Sequence, residues 1–150
     1  MSARPYVAVV GPGRAATEEL AGAEEVGAEL ARRGAVLLCG GLGGAMEAAC
    51  RGAKAAGGLT VGVLPGGERS AANPFVDVAL PTGLGEVRNA VLVRAAEAVI
   101  AVGGGYGTLS EIAFALKAGK PVVGLGGWTI EGITPAASAG EAVTLALGAI

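Results

Sequence analysis

VIAVGGGYGTLSEIAFALKAGKP, residues 99–121, decides how this chain folds. The apolar run over 98–102 reads as a buried strand that breaks at Gly103-Gly104-Gly105-Tyr106-Gly107. Thr108 is the predicted start of a helix with an apolar stripe at Ile112, Ala115 and Leu116, ending at Gly119-Lys120-Pro121. Strand, glycine loop and helix in that order aim free backbone N–H groups and the positive end of a helix dipole at one point. That is a seat for a phosphate or another anion. Side chains in the loop would hold such a ligand away from the backbone.

The same alternation extends on both sides. Residues 6–10 form a first strand, ending in Gly11-Pro12-Gly13-Arg14, and Thr17 is the expected N-cap of a helix that closes at Arg32-Arg33-Gly34. A second strand over 35–39 meets Gly40-Gly41-Leu42-Gly43-Gly44, and the next helix carries Met46, Ala49, Cys50 and Ala53 on one side. Strands follow over 59–64 and 75–80 with a polar loop over 68–74 between them, then a helix over 84–97. Beyond the quoted stretch come a strand over 122–125, a loop over 128–138 and a closing helix over 141–147. Strands alternating with helices imply an α/β fold, a single-domain Rossmann-like doubly wound parallel sheet over residues 1–150. Each glycine loop follows a strand, so all of them face the crevice beyond the carboxyl ends of the sheet.

Composition narrows the function. The chain is 52% hydrophobic and 16% charged, which suits a sheet covered on both faces. A net charge of −2 and 3% aromatic residues speak against nucleic acid or a membrane surface as a partner. There is no histidine, which removes a Ser-His-Asp triad and a His-bound metal; neither a metal nor a resident cofactor is expected. Cys39 and Cys50 lack CxxC spacing and read as buried, reduced thiols. No signal peptide or membrane span is visible, and a cytoplasmic location is the expectation.

Within that frame, Gly11-Pro12-Gly13-Arg14-Ala15-Ala16 fits a relaxed GxGxxA fingerprint. The acidic residue that should end the next strand is absent, since Leu38, Cys39 and Gly40 stand there. A tight turn approaching some other ligand fits better than a nicotinamide or flavin dinucleotide site. Glu111 has two readings. Thr108-x-x-Glu111 has the spacing of a capping box, which alone accounts for a glutamate there, and a carboxylate beside an anion site is the functional alternative. Arg88 also has two: a surface pair with Glu86, or a fork for a phosphate in the crevice.

The stretch Gly103 to Glu111 resembles the PGGxGTxxE signature of the LOG family of cytokinin-activating phosphoribohydrolases, once mislabelled lysine decarboxylases. Arg88 precedes it at the separation of that family's catalytic arginine. Residues 40–46 are similar to the family's GGGxxGLM loop, and residues 61–65 to its IGVIP strand end. The resemblance implies a nucleoside 5′-monophosphate split by water into base and ribose 5-phosphate. Glu111 and Arg88 would be the catalytic residues. Gly11, Gly13, Gly41, Gly43, Gly44, Met46, Gly104, Gly105, Tyr106, Gly107 and Thr108 would bind the nucleotide and its phosphate. It also implies a homodimer or higher homo-oligomer. Three departures stand out: Gly103 replaces the signature proline, Asn89 replaces the lysine after the arginine, and the chain is short. In these it resembles a short LOG-like branch related to molybdenum-cofactor carrier proteins. The alternative function is therefore a non-catalytic carrier or sensor of a nucleotide-like or molybdopterin-type ligand.

Overall fold

The computed structural model describes residues 3–150. The strands are β1 (Tyr6–Val10), β2 (Val36–Cys39), β3 (Leu59–Leu64), β4 (Val78–Pro81), β5 (Ala98–Val102), β6 (Val122–Leu125) and β7 (Ile133–Pro135). The helices are α1 (Thr17–Arg32), α2 (Ala45–Ala55), α3 (Arg88–Ala95), α4 (Tyr106–Lys117) and α5 (Ala139–Gly148). One seven-stranded sheet runs in the order β4-β3-β2-β1-β5-β6-β7, and every pairing is parallel. The doubly wound sheet expected from the alternating pattern is the observed architecture.

The central strands are apolar on both faces because both faces are covered. Val7 and Val9 of β1, with Leu37, Cys39, Ile100 and Val102, pack under α1, α2 and α5. Ala8 and Val10 of the same strand, with Val36, Leu38, Val99 and Ala101, pack under α3 and α4. The period-two alternation thus divides one apolar run between two cores. Helices α1 and α2 cross closely enough that a Cβ on Gly27 would fall 1.9 Å from the Ala49 carbonyl oxygen, and one on Gly52 would fall 1.9 Å from that of Glu24. Cys39 and Cys50 are free, buried thiols with their Sγ atoms 3.4 Å apart. The contact with Cys39, together with burial, pushes the Cys50 thiol up.

Four local expectations are corrected. Helix α1 has Ala16, not Thr17, as its N-cap, and Glu19 Oε1 accepts the Ala16 N–H at 2.8 Å. Strand β4 starts only at Val78 because the chain first turns: the Asn73 side chain accepts the Phe75 N–H at 3.0 Å, and Thr60 Oγ1 donates to the Phe75 carbonyl at 2.6 Å. The helix expected over 84–97 is a 3₁₀ turn at Gly85–Val87 followed by the shorter α3, since Gly85 has φ +60° and Ala96 is already extended. The expected loop over 128–138 contains β7, three residues whose Ile-Thr-Pro pattern carries no strand signal of its own. Among the described residues no helix is long and apolar enough to cross a membrane.

Candidate functional site

Strand order reverses at β1, which pairs with β2 on one side and β5 on the other. In such sheets the loops leaving the two strands at this point diverge to opposite faces and leave a crevice. Here it is a cleft of about 270 Å³ lined by Gly11, Pro12, Gly13, Met46, Arg88, Asn89, Gly105, Tyr106, Gly107, Thr108 and Glu111.

Helix α4 supplies one wall. It begins at Tyr106 after Gly105, whose φ of +124° only glycine adopts readily. The first bond of the helical ladder runs from the Leu109 N–H to the Gly105 carbonyl at 2.9 Å. The N–H groups of Tyr106, Gly107 and Thr108 therefore have no partner within the helix. Thr108 is 2% exposed, and its Oγ1 is buried without any hydrogen-bond partner. Such a hydroxyl is costly to leave unmatched. Gly103, at the first position of the loop, has φ +74°, a conformation closed to proline, and Glu19 Oε2 lies 1.9 Å from where its Cβ would be.

The capping-box reading of Glu111 is overturned. Because α4 starts at Tyr106, Glu111 is the sixth helical residue, a turn beyond any reach to the N-cap. It is 7% exposed, lines the cleft, and takes no hydrogen bond from a described residue. Burial raises its carboxyl from the ordinary 4.5 to about 7, and the Arg88 charge only partly opposes this. Burial thus favours the protonated, uncharged carboxyl.

Arg88 is not a surface pair with Glu86 either. It is 8% exposed at the start of α3, whereas Glu86 is exposed. Its Nε donates to the Val63 carbonyl at 2.9 Å, its Nη2 to the Gly40 carbonyl at 3.3 Å, and its Nη1 to Asn89 Oδ1. Asn89 Nδ2 in turn donates to Ser110 Oγ at 3.1 Å, and Ser110 Oγ to the Gly107 carbonyl at 2.7 Å. This network ties the ends of β2 and β3 to α3 and to the first turn of α4. Gly40 is needed for it: a Cβ there would fall 2.7 Å from both Arg88 Nη2 and Met46 Sδ. No ion pair among the described residues includes Arg88, so its charge rests on neutral carbonyls beside the cleft.

Gly11, Gly13, Met46, Gly105, Tyr106, Gly107, Thr108, Arg88 and Glu111 thus come together as the spacing and the family resemblance suggest. Gly41, Gly43, Gly44 and Gly104 do not line the cleft. The Gly41 carbonyl accepts the Asn73 N–H at 2.8 Å, and a Cβ on Gly41 would meet the Leu64 side chain at 2.6 Å. Gly44 lets two loops touch, since its Cβ would fall 2.4 Å from the Gly13 carbonyl oxygen, and the first N–H of α2, on Ala45, donates to the Pro12 carbonyl at 3.1 Å. The second glycine loop therefore packs against the first. Gly43 is exposed with nothing beside it, and Gly104 faces the Trp128 ring. Asn89 and Ser110 are lining and bracing residues that spacing alone did not single out. The polar Asn89 next to Arg88 in the first turn of a helix was the available signal.

The profile of the SLOG cluster4 family matches residues 4–146. An uncharacterised protein of Archaeoglobus fulgidus is 47% identical over 119 residues, covering 79% of this chain and 78% of that one. The molybdenum cofactor binding protein of Rippkaea orientalis superposes with a TM-score of 0.94 at 38% identity, covering 99% of this chain and 98% of the other. The Moco carrier protein of Chlamydomonas reinhardtii does so with a TM-score of 0.90 at 38% identity, covering 98% of each chain.

Proposed function

This chain belongs to the SLOG cluster4 family, and from that premise we propose that it is a carrier or sensor. Its ligand is a small phosphate-bearing molecule of molybdopterin type, or a nucleotide of similar build, held in the cleft above β1 and β5. The observation that carries this reading is the buried, partnerless Thr108 hydroxyl beside the free N–H groups that open α4. Those donors fit a phosphate monoester, which supplies several acceptor oxygens and a charge that favours the helix dipole. Similarity to proteins described as molybdenum cofactor binding and carrier proteins supports the ligand class.

In a binding role the residues divide the work. The first turn of α4 and Thr108 take the phosphate, while Gly11 and Gly13 let it approach the loop after β1. Arg88 keeps its donors on Val63, Gly40 and Asn89 and contributes positive potential without gripping the ligand. Glu111, kept largely uncharged up to about pH 7, adds little repulsion and can donate its O–H to a phosphate oxygen or accept a ring N–H. Met46 forms an apolar wall. The same reading includes a homodimer or higher homo-oligomer, supported by exposed Val87, Val91 and Phe114 around α3 and α4 and tested by light scattering.

Hydrolysis of a nucleoside 5′-monophosphate is the second reading, favoured by the buried, unpartnered Glu111 as an acid or base. Against it, Glu111 is the single carboxylate among the cleft-lining residues, whereas glycoside hydrolysis ordinarily uses two. The deciding experiment mixes the purified chain with isolated molybdenum cofactor and, separately, with purine nucleoside 5′-monophosphates. Stoichiometric retention of molybdenum and an unchanged pterin through gel filtration, with no base released, is the expected result. Base release by wild type and not by Glu111→Gln would replace the carrier reading with the hydrolase.

A further inference from the structure

The sequence holds one tryptophan and two tyrosines, and Trp128 and Tyr106 stand together at the rim of the cleft. Tyr106 is the first residue of α4 and lines the cleft, yet it is 85% exposed, far more than any other large apolar side chain described. Trp128 is half-buried and pinned, its Nε1 donating to the Gly105 carbonyl at 2.9 Å. Their ring centroids are 6.3 Å apart with 35° between planes. The tryptophan is thus tied to the loop that opens α4, and the tyrosine ring lies beside it with most of its surface in water.

Leaving a ring of this size in water forgoes its burial, and here the loss occurs beside the donors that would take a phosphate. We propose that Tyr106, backed by Trp128, is a stacking ledge for the planar heterocycle of the ligand. The proposal rests on the carrier reading above and deepens it by orienting the ligand. The anionic end enters toward Thr108 and the first turn of α4, and the flat ring lies across the rim against Tyr106. The class selected is a phosphate joined to a planar, polar ring, as in a pterin or a purine. A sugar phosphate lacking the ring fills only the inner half of the site. Backbone amides of the loop discriminate poorly among phosphates, so this ledge is where ring-bearing ligands are separated from the rest.

The test uses the full chain as wild type, Tyr106→Ala and Tyr106→Phe. The ring-bearing probes are guanosine 5′-monophosphate and isolated molybdopterin, and the ring-less probe is ribose 5-phosphate. Affinity is read by calorimetry and by the fluorescence of Trp128, the sole tryptophan. Wild type should bind at least one ring-bearing probe more tightly than ribose 5-phosphate and show quenching only with the former. Tyr106→Ala should weaken that probe about tenfold while leaving ribose 5-phosphate within about twofold, and Tyr106→Phe should keep the affinity. Equal loss for both probe types, no loss for either, or a changed oligomeric mass with unchanged binding overturns the ledge alone. Failure of all three probes to bind wild type overturns the anion-site reading and the ledge with it.

Discussion

Replacing Glu111 with glutamine should abolish a stability loss that wild type suffers on the way to neutral pH. The carboxyl is 7% exposed, accepts no hydrogen bond from a described residue, and is raised by burial from 4.5 to about 7. A glutamate with the higher value in the folded state keeps a proton that the unfolded chain has already released. The folded state is then at its best, as far as this group is concerned, below 4.5. It loses ground as the pH rises toward about 7 and is level above that. The gap between 4.5 and about 7, at about 1.4 kcal/mol per pH unit, amounts to about 3 kcal/mol. For a domain of this size that is a shift in melting temperature on the order of 10 °C. Urea unfolding of both proteins at intervals from about pH 4.5 to 8 isolates the contribution as a difference curve, because other titrations cancel. The absence of histidine leaves that window unusually free of other ionisations. The Glu111→Gln protein should gain about 3 kcal/mol on wild type across it. Parallel curves would refute the argument. A wild type that gains on the variant as the pH rises would show instead that Arg88 holds the carboxylate as an ion pair.

Thr108→Val removes a buried hydroxyl that has no partner. It should raise the stability of the free protein by about 1 kcal/mol in thermal melts while weakening a phosphate-bearing ligand about tenfold in calorimetry. Arg88→Met leaves the Val63 and Gly40 carbonyls and the Asn89 oxygen without their donor and should cost about 2–4 kcal/mol in chemical denaturation. Arg88→Lys should restore little of that, since an ammonium cannot span all three acceptors. Gly27→Ala would set a Cβ 1.9 Å from the Ala49 carbonyl oxygen, so melting should fall by the equivalent of about 2–3 kcal/mol as α1 and α2 separate. For a phosphate-bearing ligand, the affinity of wild type relative to Glu111→Gln should fall as the pH passes through about 7, because only wild type gains a negative charge in the cleft.

The parallel sheet was legible because its signal is repeated. Apolar runs such as residues 98–102, each ending in glycines and followed by a helical stripe, state the fold several times over. What escaped were features decided by contacts distant in sequence. The pattern Ile133-Thr134-Pro135 becomes a strand only because β6 offers an open edge. The late start of β4 depends on hydrogen bonds from Asn73 and Thr60. For the candidate site, strand-loop-helix logic pointed to the opening of α4, and resemblance pointed to Arg88 and Glu111, which line the same cleft. Spacing misjudged Glu111 through a single boundary. Moving the start of α4 from Thr108 to Tyr106 turns a self-sufficient cap into an unpartnered acid. The packing of the Gly41, Gly43 and Gly44 loop against the first glycine loop was illegible for a similar reason. Glycines that admit a ligand and glycines that admit another loop look alike until the Pro12 and Gly13 carbonyls are seen against Ala45 and Gly44.

The strand reversal at β1 also governs when the molecule becomes competent. β1 meets β2 after one helix, whereas its other neighbour begins with Ala98 opposite Val7. During synthesis the four strands from β1 to β4 can associate while β5 is still unmade, and β1 then presents an open parallel edge. Arg88 is translated before Ser110 and Glu111, so the network that braces it is incomplete until α4 docks. No partial chain owns a cleft. The cleft is complete only once α4 has docked, and any ligand held there would bridge the two halves of the sheet and slow their parting.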